Sequence, residues 1–138
     1  MSYLLDTVIL SELRKRDRNP GVVTWVRSVR ASDLFLSVIS IGEVERGIAR
    51  QKRDHPEFAA DLAEWLETVL RHYGDRILTV NTAVARQWGQ LSARLGHGSA
   101  DLLIAATAME HGLTVITRNV RHFEPTGVAV INPFMPPS

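Results

Sequence analysis

Apolar positions recur along the chain in short β-type runs separated by longer stretches of helical spacing. Ser2–Leu5 is a short apolar run ending at Asp6 and predicts a buried strand. Thr7–Arg16 predicts a helix, with Val8 and Leu10 followed by Ser11, polar Glu12 and a basic tail. Pro20 suits the first turn of a second helix, whose apolar face is Val22, Val23, Val26 and Val29. Leu34–Ile39 is apolar and partly β-branched, a second strand. Ser40 then stands as a helix cap, and Glu43 completes capping-box spacing for a helix running to about Arg53. Pro56–Tyr73 predicts a long amphipathic helix with Phe58, Leu62, Trp65, Leu66, Val69 and Leu70 on one side, ended by Gly74.

Arg76–Val80 predicts a third strand. Asn81 caps a helix through Val84, Trp88, Leu91 and Leu95, which Gly96 and Gly98 break. Ser99 caps the next helix, Ala100–His111, apolar nearly all round after Asp101 and therefore deeply packed. Gly112 ends it, Leu113–Thr117 is a fourth strand, and Val128–Ile131 a fifth closed by Pro133. The order reads βααβααβαβ with a late strand added. Strands alternating with helices predict an α/β fold: a mostly parallel sheet of four to five strands with helices on both faces. Length predicts one domain over residues 1–138.

Composition narrows this picture modestly. A hydrophobic fraction of 45 % supplies a real core. The absence of cysteine excludes disulfides and thiolate metal sites. No apolar run approaches the ~18 residues of a membrane span, so the expectation is a cytoplasmic protein without membrane contact. Net charge is +1, but only Lys15 and Lys52 among the 16 basic residues are lysine. The arginines are better phosphate forks, although an arginine-rich background accounts for them equally well.

Ligands of open parallel sheets bind beyond the carboxyl ends of the strands. Asp6 ends the first strand, Glu43 follows the second, and Asn119 follows the fourth. Asp101 opens the helix that feeds the fourth strand; because that strand runs parallel, the helix begins at the same sheet edge. Three carboxylates and an amide thus gather there. Any one alone is also explained by the helix dipole, and Glu43 by its capping box. Together they repel one another unless protonated or neutralised by a cation. Oxygen donors favour Mg²⁺, with Mn²⁺ as an alternative, and His55, His72, His97, His111 and His122 show no zinc spacing. Such a site supports phosphodiester hydrolysis, with water activated by the ion and no protein nucleophile.

The segments YLLDTVILSEL (3–13), LSVISIGEVERGI (36–48), RILTVNTAVARQWG (76–89), DLLIAATAMEHGLTVITRNVRHFEPTGV (101–128) and INPF (131–134) carry a further pattern. Through them the chain resembles the PIN-domain ribonucleases, in particular the VapC and FitB-like toxins of bacterial type II toxin–antitoxin pairs. The resemblance implies a three-layer α/β/α PIN fold and a Mg²⁺-dependent endoribonuclease. Asp6 and Asp101 would be the main metal ligands, and Glu43 would hold metal or its water, acting as general base. Thr7, Ser40 and Thr117 would support them by hydrogen bonds. The family's fourth acid falls at or near Asn119, where an amide adds no charge and disfavours a tightly held second ion. The usual DTN opening is DTV here, so Val8 removes a polar group. TRNVRHF places His122 where an acid is common; as a phosphate contact or a plain surface residue, the latter is favoured.

Arg46 and Arg50 share a helix face with Glu43, and Arg118 and Arg121 flank the proposed edge, as contacts for RNA or an acidic partner or as solvated charges. The run Arg14–Lys15–Arg16–Arg18 is open to the same two readings. Trp25, Trp65 and Trp88 sit on apolar helix faces and read as core or dimer packing. The resemblance further implies a homodimer, a VapB-like antitoxin that covers the site and alone contacts operator DNA, and a structured RNA substrate such as transfer RNA. A receiver domain is disfavoured because no lysine follows the fourth strand, and an Asp-x-Asp phosphatase by Val8. A catalytically weak PIN fold that only binds nucleic acid or protein stays open, given Asn119.

Overall fold

The strands β1 (Tyr3–Leu5), β2 (Leu34–Ser37), β3 (Ile77–Leu78), β4 (Thr114–Ile116) and β5 (Val130–Ile131) form one sheet in the order β3-β2-β1-β4-β5. Every adjacent pair is parallel, with Leu4 beside Phe35 and Val115, and Ile116 beside Leu5 and Ile131. The structure is a computed structural model and describes residues 1–134; residues 135–138, part of the domain range read from the sequence, lie outside the described residues.

Neighbouring residues on a strand point to opposite faces, and this alternation builds two cores. Leu5, Leu36 and Ile116 face one side, under α1 (Thr7–Arg14), α2 (Pro20–Ser28), α3 (Val38–Gln51) and α4 (Pro56–Tyr73). Leu4, Phe35 and Val115 face the other, under α5 (Thr82–Leu95), α6 (Ala100–His111) and the single turn α7 (Val120–Phe123). This is the expected α/β/α layering. Trp25 and Trp65 pack against the first core and Trp88 against the second, as their helix faces predict. Trp25 meets Tyr3 edge to face with ring centroids 5.0 Å apart. Among the described residues, no helix is long and apolar enough to cross a membrane.

Most predicted boundaries are recovered within two residues. Asn81 caps α5 by accepting from the Val84 N–H at 2.9 Å. Gly112 closes α6 at φ 65°, a conformation that suits glycine. Ser99 occupies the cap position of α6 but makes no side-chain cap bond. Two expectations fail. The string βααβααβαβ omitted two helices: both α5 and α6 lie between β3 and β4, and the short α7 precedes β5. The second strand stops at Ser37, whose hydroxyl accepts from the Ile39 N–H at 3.0 Å and caps α3. Ser40 therefore lies inside the helix, buried, and Glu43 is in its second turn rather than in a capping box. The β-branched Val38 and Ile39 mimic strand in sequence, but the cap one residue earlier decides the boundary.

The strand order places the chain reversal between β1 and β4, since β2 and β3 lie to one side of β1 and β4 and β5 to the other. The crevice at that switch point is where an open parallel sheet accepts a ligand.

Candidate functional site

Asp6 leaves β1 and Thr117 leaves β4, one on each side of the switch point. Their side chains meet: Thr117 Oγ1 donates to Asp6 Oδ2 at 2.7 Å. The other Asp6 oxygen accepts from the Thr7 N–H at 2.8 Å, and the Asp6 N–H donates to the Ile116 carbonyl at 2.9 Å. Thr117 also accepts from the Asn119 N–H at 2.9 Å. Asp6 is thus pinned at the sheet edge and only 3 % exposed.

Thr7 extends the network to α3. Its hydroxyl lies 2.6 Å from Glu43 Oε1 and 2.8 Å from Ser40 Oγ. A hydroxyl has one proton and an ionised carboxylate only accepts. Thr7 therefore donates to Glu43, and the Ser40 proton points back to Thr7. Buried Ser40 orients Thr7, and Thr7 orients Glu43. The Arg46 guanidinium stands 3.9 Å from Glu43 Oε2, a loose and largely exposed pair of small energetic weight. Arg50 is exposed and forms no ion pair among the described residues.

Asp101, the second residue of α6, accepts from or donates to His122 Nδ1 at 2.9 Å, according to the protonation of the pair. His122 is on the surface, as expected, but it is bonded to Asp101 there. The turn of α7 brings it back over the start of α6. Sequence reasoning had only the departure from the TRNxxDF pattern to flag it, because the two residues are far apart in the chain. Asn119 contributes its backbone N–H to the site through Thr117, and its side chain lines the neighbouring groove. Val8 is half-buried against the first core.

Burial pushes the Asp6 carboxyl up to about 6, outweighing the hydrogen bonds from Thr117 and Thr7 that act downward; the charges of Asp101 and Glu43 push it up further. Those two contributions place all three carboxylates within electrostatic reach of one another. Glu43 and Asp101 line different grooves among those described. Asp101 lines a groove of about 370 Å³ with His97, Ser99, Arg121 and His122. It adjoins a second groove of about 520 Å³ lined by Arg118, Asn119, Arg121, His122 and Asn132. Glu43 and Thr7 line a third, about 220 Å³, with Arg14, Phe58 and Trp65. Asp6 is buried and lines none of these three.

Among the described residues, no three acidic or histidine side chains stand close enough to form a preassembled cation cage. That suits Mg²⁺, which takes one or two carboxylates and fills its remaining positions with water and phosphate oxygens. The donor set is all-oxygen at Asp6 and Glu43, and the buried Asp6, burdened by two neighbouring acids, gains most from a cation. The residues present therefore fit a hard divalent ion.

A family model described as PIN domain matches residues 3–127. The chain belongs to the PIN-domain family. Among PIN relatives, the toxin FitB of Neisseria gonorrhoeae is 37 % identical over 137 residues, covering 95 % of this chain and 97 % of that protein. The VapC ribonuclease Y4jK of Sinorhizobium fredii is 32 % identical, covering 96 % and 98 %. The solved structure of FitAB bound to an IR36 DNA fragment superposes on this PIN fold with a TM-score of 0.85 at 33 % identity, covering 99 % of this chain and 98 % of that one. The family resemblance read from residues 3–13, 36–48, 76–89, 101–128 and 131–134 is thus the right one.

Proposed function

We infer that this PIN domain is the toxin of a type II toxin–antitoxin pair and acts as a divalent-metal-dependent endoribonuclease. The observation that carries this is the buried Asp6, fixed by Thr117 and Thr7 at the switch point and within charge range of Glu43 and Asp101. The ribonuclease name of one relative and the toxin name of another support it. Asp6 and Asp101 hold the ion, Mg²⁺ or Mn²⁺, with Glu43 beside them. When bound, the ion neutralises charge on the scissile phosphate and lowers the pKa of an attacking water. Glu43, oriented by Thr7 and Ser40, takes a proton from that water. His122 holds the carboxylate of Asp101 towards the groove. Asn119 offers an amide to water at the rim. Arg46, Arg50, Arg118 and Arg121 surround the opening with positive charge for the RNA backbone.

The partner is a small VapB-like antitoxin that blocks the site and carries the operator-DNA contact, an assembly supported by the DNA-bound FitAB structure. A homodimer and a structured RNA target such as transfer RNA complete the proposal. The test is cleavage of a total RNA pool by partner-free protein in Mg²⁺, Mn²⁺ or EDTA, beside Asp6→Asn. Cleavage that needs metal and Asp6 is expected. A folded, partner-free protein that cleaves nothing in either metal contradicts it and favours a binding module.

A further inference from the structure

Arg118 directly follows Thr117, whose hydroxyl holds Asp6, and is exposed. Its guanidinium carbon lies 4.1 Å from the centroid of the Phe134 ring. Three features fix that ring. The Thr117 N–H donates to the Ile131 carbonyl at 3.0 Å, tying the end of β5 beside the end of β4. Asn132 Oδ1 then accepts from the Phe134 N–H at 3.0 Å, turning the chain. Finally, Gly21 in the first turn of α2 admits the Pro133 carbonyl. A Cβ there would stand 2.5 Å from that oxygen and 3.4 Å from the Phe134 carbonyl. Phe134 is half-buried against the first core.

The Arg118 guanidinium has no ion-pair partner among the described residues. Glu12, the acid whose charge it feels, already accepts from the Asn19 N–H at 2.8 Å and Lys15 Nζ at 3.1 Å. A guanidinium stacked on a ring keeps its edge N–H groups free, in the fork that fits a phosphate. Holding it there in advance reduces the side-chain freedom lost on binding. Arg118 and Asn132 line one end of the 520 Å³ groove, which continues past Arg121 and His122 to Asp101.

We propose that Phe134 is a positioning residue for RNA, holding Arg118 where it binds a backbone phosphate next to the one at the carboxylates. This rests on the nuclease function above and names how its substrate is gripped. A strand lying along these adjoining grooves, which share Arg121 and His122, would run from Arg118 towards Asp101. Phe134 touches no reacting atom and acts only through Arg118.

The experiment is fluorescence anisotropy of a labelled mixed-sequence single-stranded oligoribonucleotide with the full chain in EDTA, over a range of salt. Arg118→Ala is expected to weaken binding about tenfold and to reduce the salt slope by about one. Phe134→Leu keeps apolar bulk without the aromatic face; it weakens binding several-fold, and Phe134→Trp restores it. The double variant Arg118→Ala/Phe134→Leu binds like Arg118→Ala alone, with melting temperatures confirming that each variant is folded. Two results overturn the proposal: Phe134→Leu binding as tightly as the wild type, or its effect multiplying with that of Arg118→Ala. Wild-type protein that binds no RNA and cleaves none in any metal removes the nuclease function as well. Wild-type binding with unaffected variants removes only the Phe134 role and turns Arg118 towards an acidic protein surface.

Discussion

Asp6 is 3 % exposed, with a hydrogen bond to each carboxylate oxygen, whereas the Asp101 side chain is 27 % exposed, on a groove wall and bonded to a more exposed histidine. The first acid is built into the sheet. The second is presented by a helix start and kept in place by one partner from α7. Under the proposed function the contrast separates two duties: Asp6 would create the demand for a cation, because its charge is expensive to bury, and Asp101 would give that cation access to substrate.

The largest effect expected from this division is on chemistry. Asp6→Asn lowers RNA cleavage by about 10³-fold or more, some 4 kcal/mol of transition-state stabilisation, in a gel assay with Mg²⁺. A retained rate would assign the ion to the exposed acids alone. Next comes the stability of the metal-free protein. The folded-state pKa of Asp6 is raised from 3.8 to about 6, so the folded form binds this proton more tightly than the unfolded chain. That stabilisation is fully present below about pH 4 and is lost as pH rises through 6. Asp6 alone should thus make the protein less stable at pH 7 than at pH 4 by about 2 kcal/mol. Denaturant unfolding in EDTA should show that fall superimposed on the titration of other groups, and Asp6→Asn should remove it. The same measurement on Asp101→Asn should leave most of it in place.

Smaller effects probe the supports. Thr117→Val removes the donor to Asp6 and the acceptor for the Asn119 N–H. It should cost about 1–3 kcal/mol of stability and lower cleavage, while Thr117→Ser retains both. An equal loss in the serine variant would show that methyl packing, not the hydroxyl, is what matters. His122→Gln should weaken cation affinity about tenfold by calorimetry, the low end for loss of a carboxylate's supporting partner, with little change in melting temperature. Tighter binding instead would mean that His122 competes with the ion for Asp101.

The fold was readable because its signals are local and repeated. Alternation splits Leu4 from Leu5 and Val115 from Ile116 between two cores, and caps such as Asn81 mark helix starts. The gathering of Asp6, Glu43 and Asp101 near one sheet edge was readable from the strand ends and the parallel topology. What stayed hidden depends on contacts between distant residues. Ser40 looked like a cap because its spacing to Glu43 is that of a capping box; the resemblance named it as a hydrogen-bonding support, and the structure shows that its partner is Thr7. His122 and Phe134 lie in the TRNVRHF and INPF segments, but nothing local names their partners. One depends on the turn between β4 and β5, the other on a glycine in α2 more than a hundred residues away in the chain.

The central proposal is that Asp6 and Asp101 hold one hard divalent ion, with Glu43 beside it. Titration of Mn²⁺ followed by electron paramagnetic resonance, on the partner-free chain at pH 7.5, tests it without relying on turnover. The prediction is saturable binding competed by Mg²⁺, abolished in Asp6→Asn and weakened in Asp101→Asn and Glu43→Gln. Mn²⁺ binding that is unchanged in folded Asp6→Asn would contradict it.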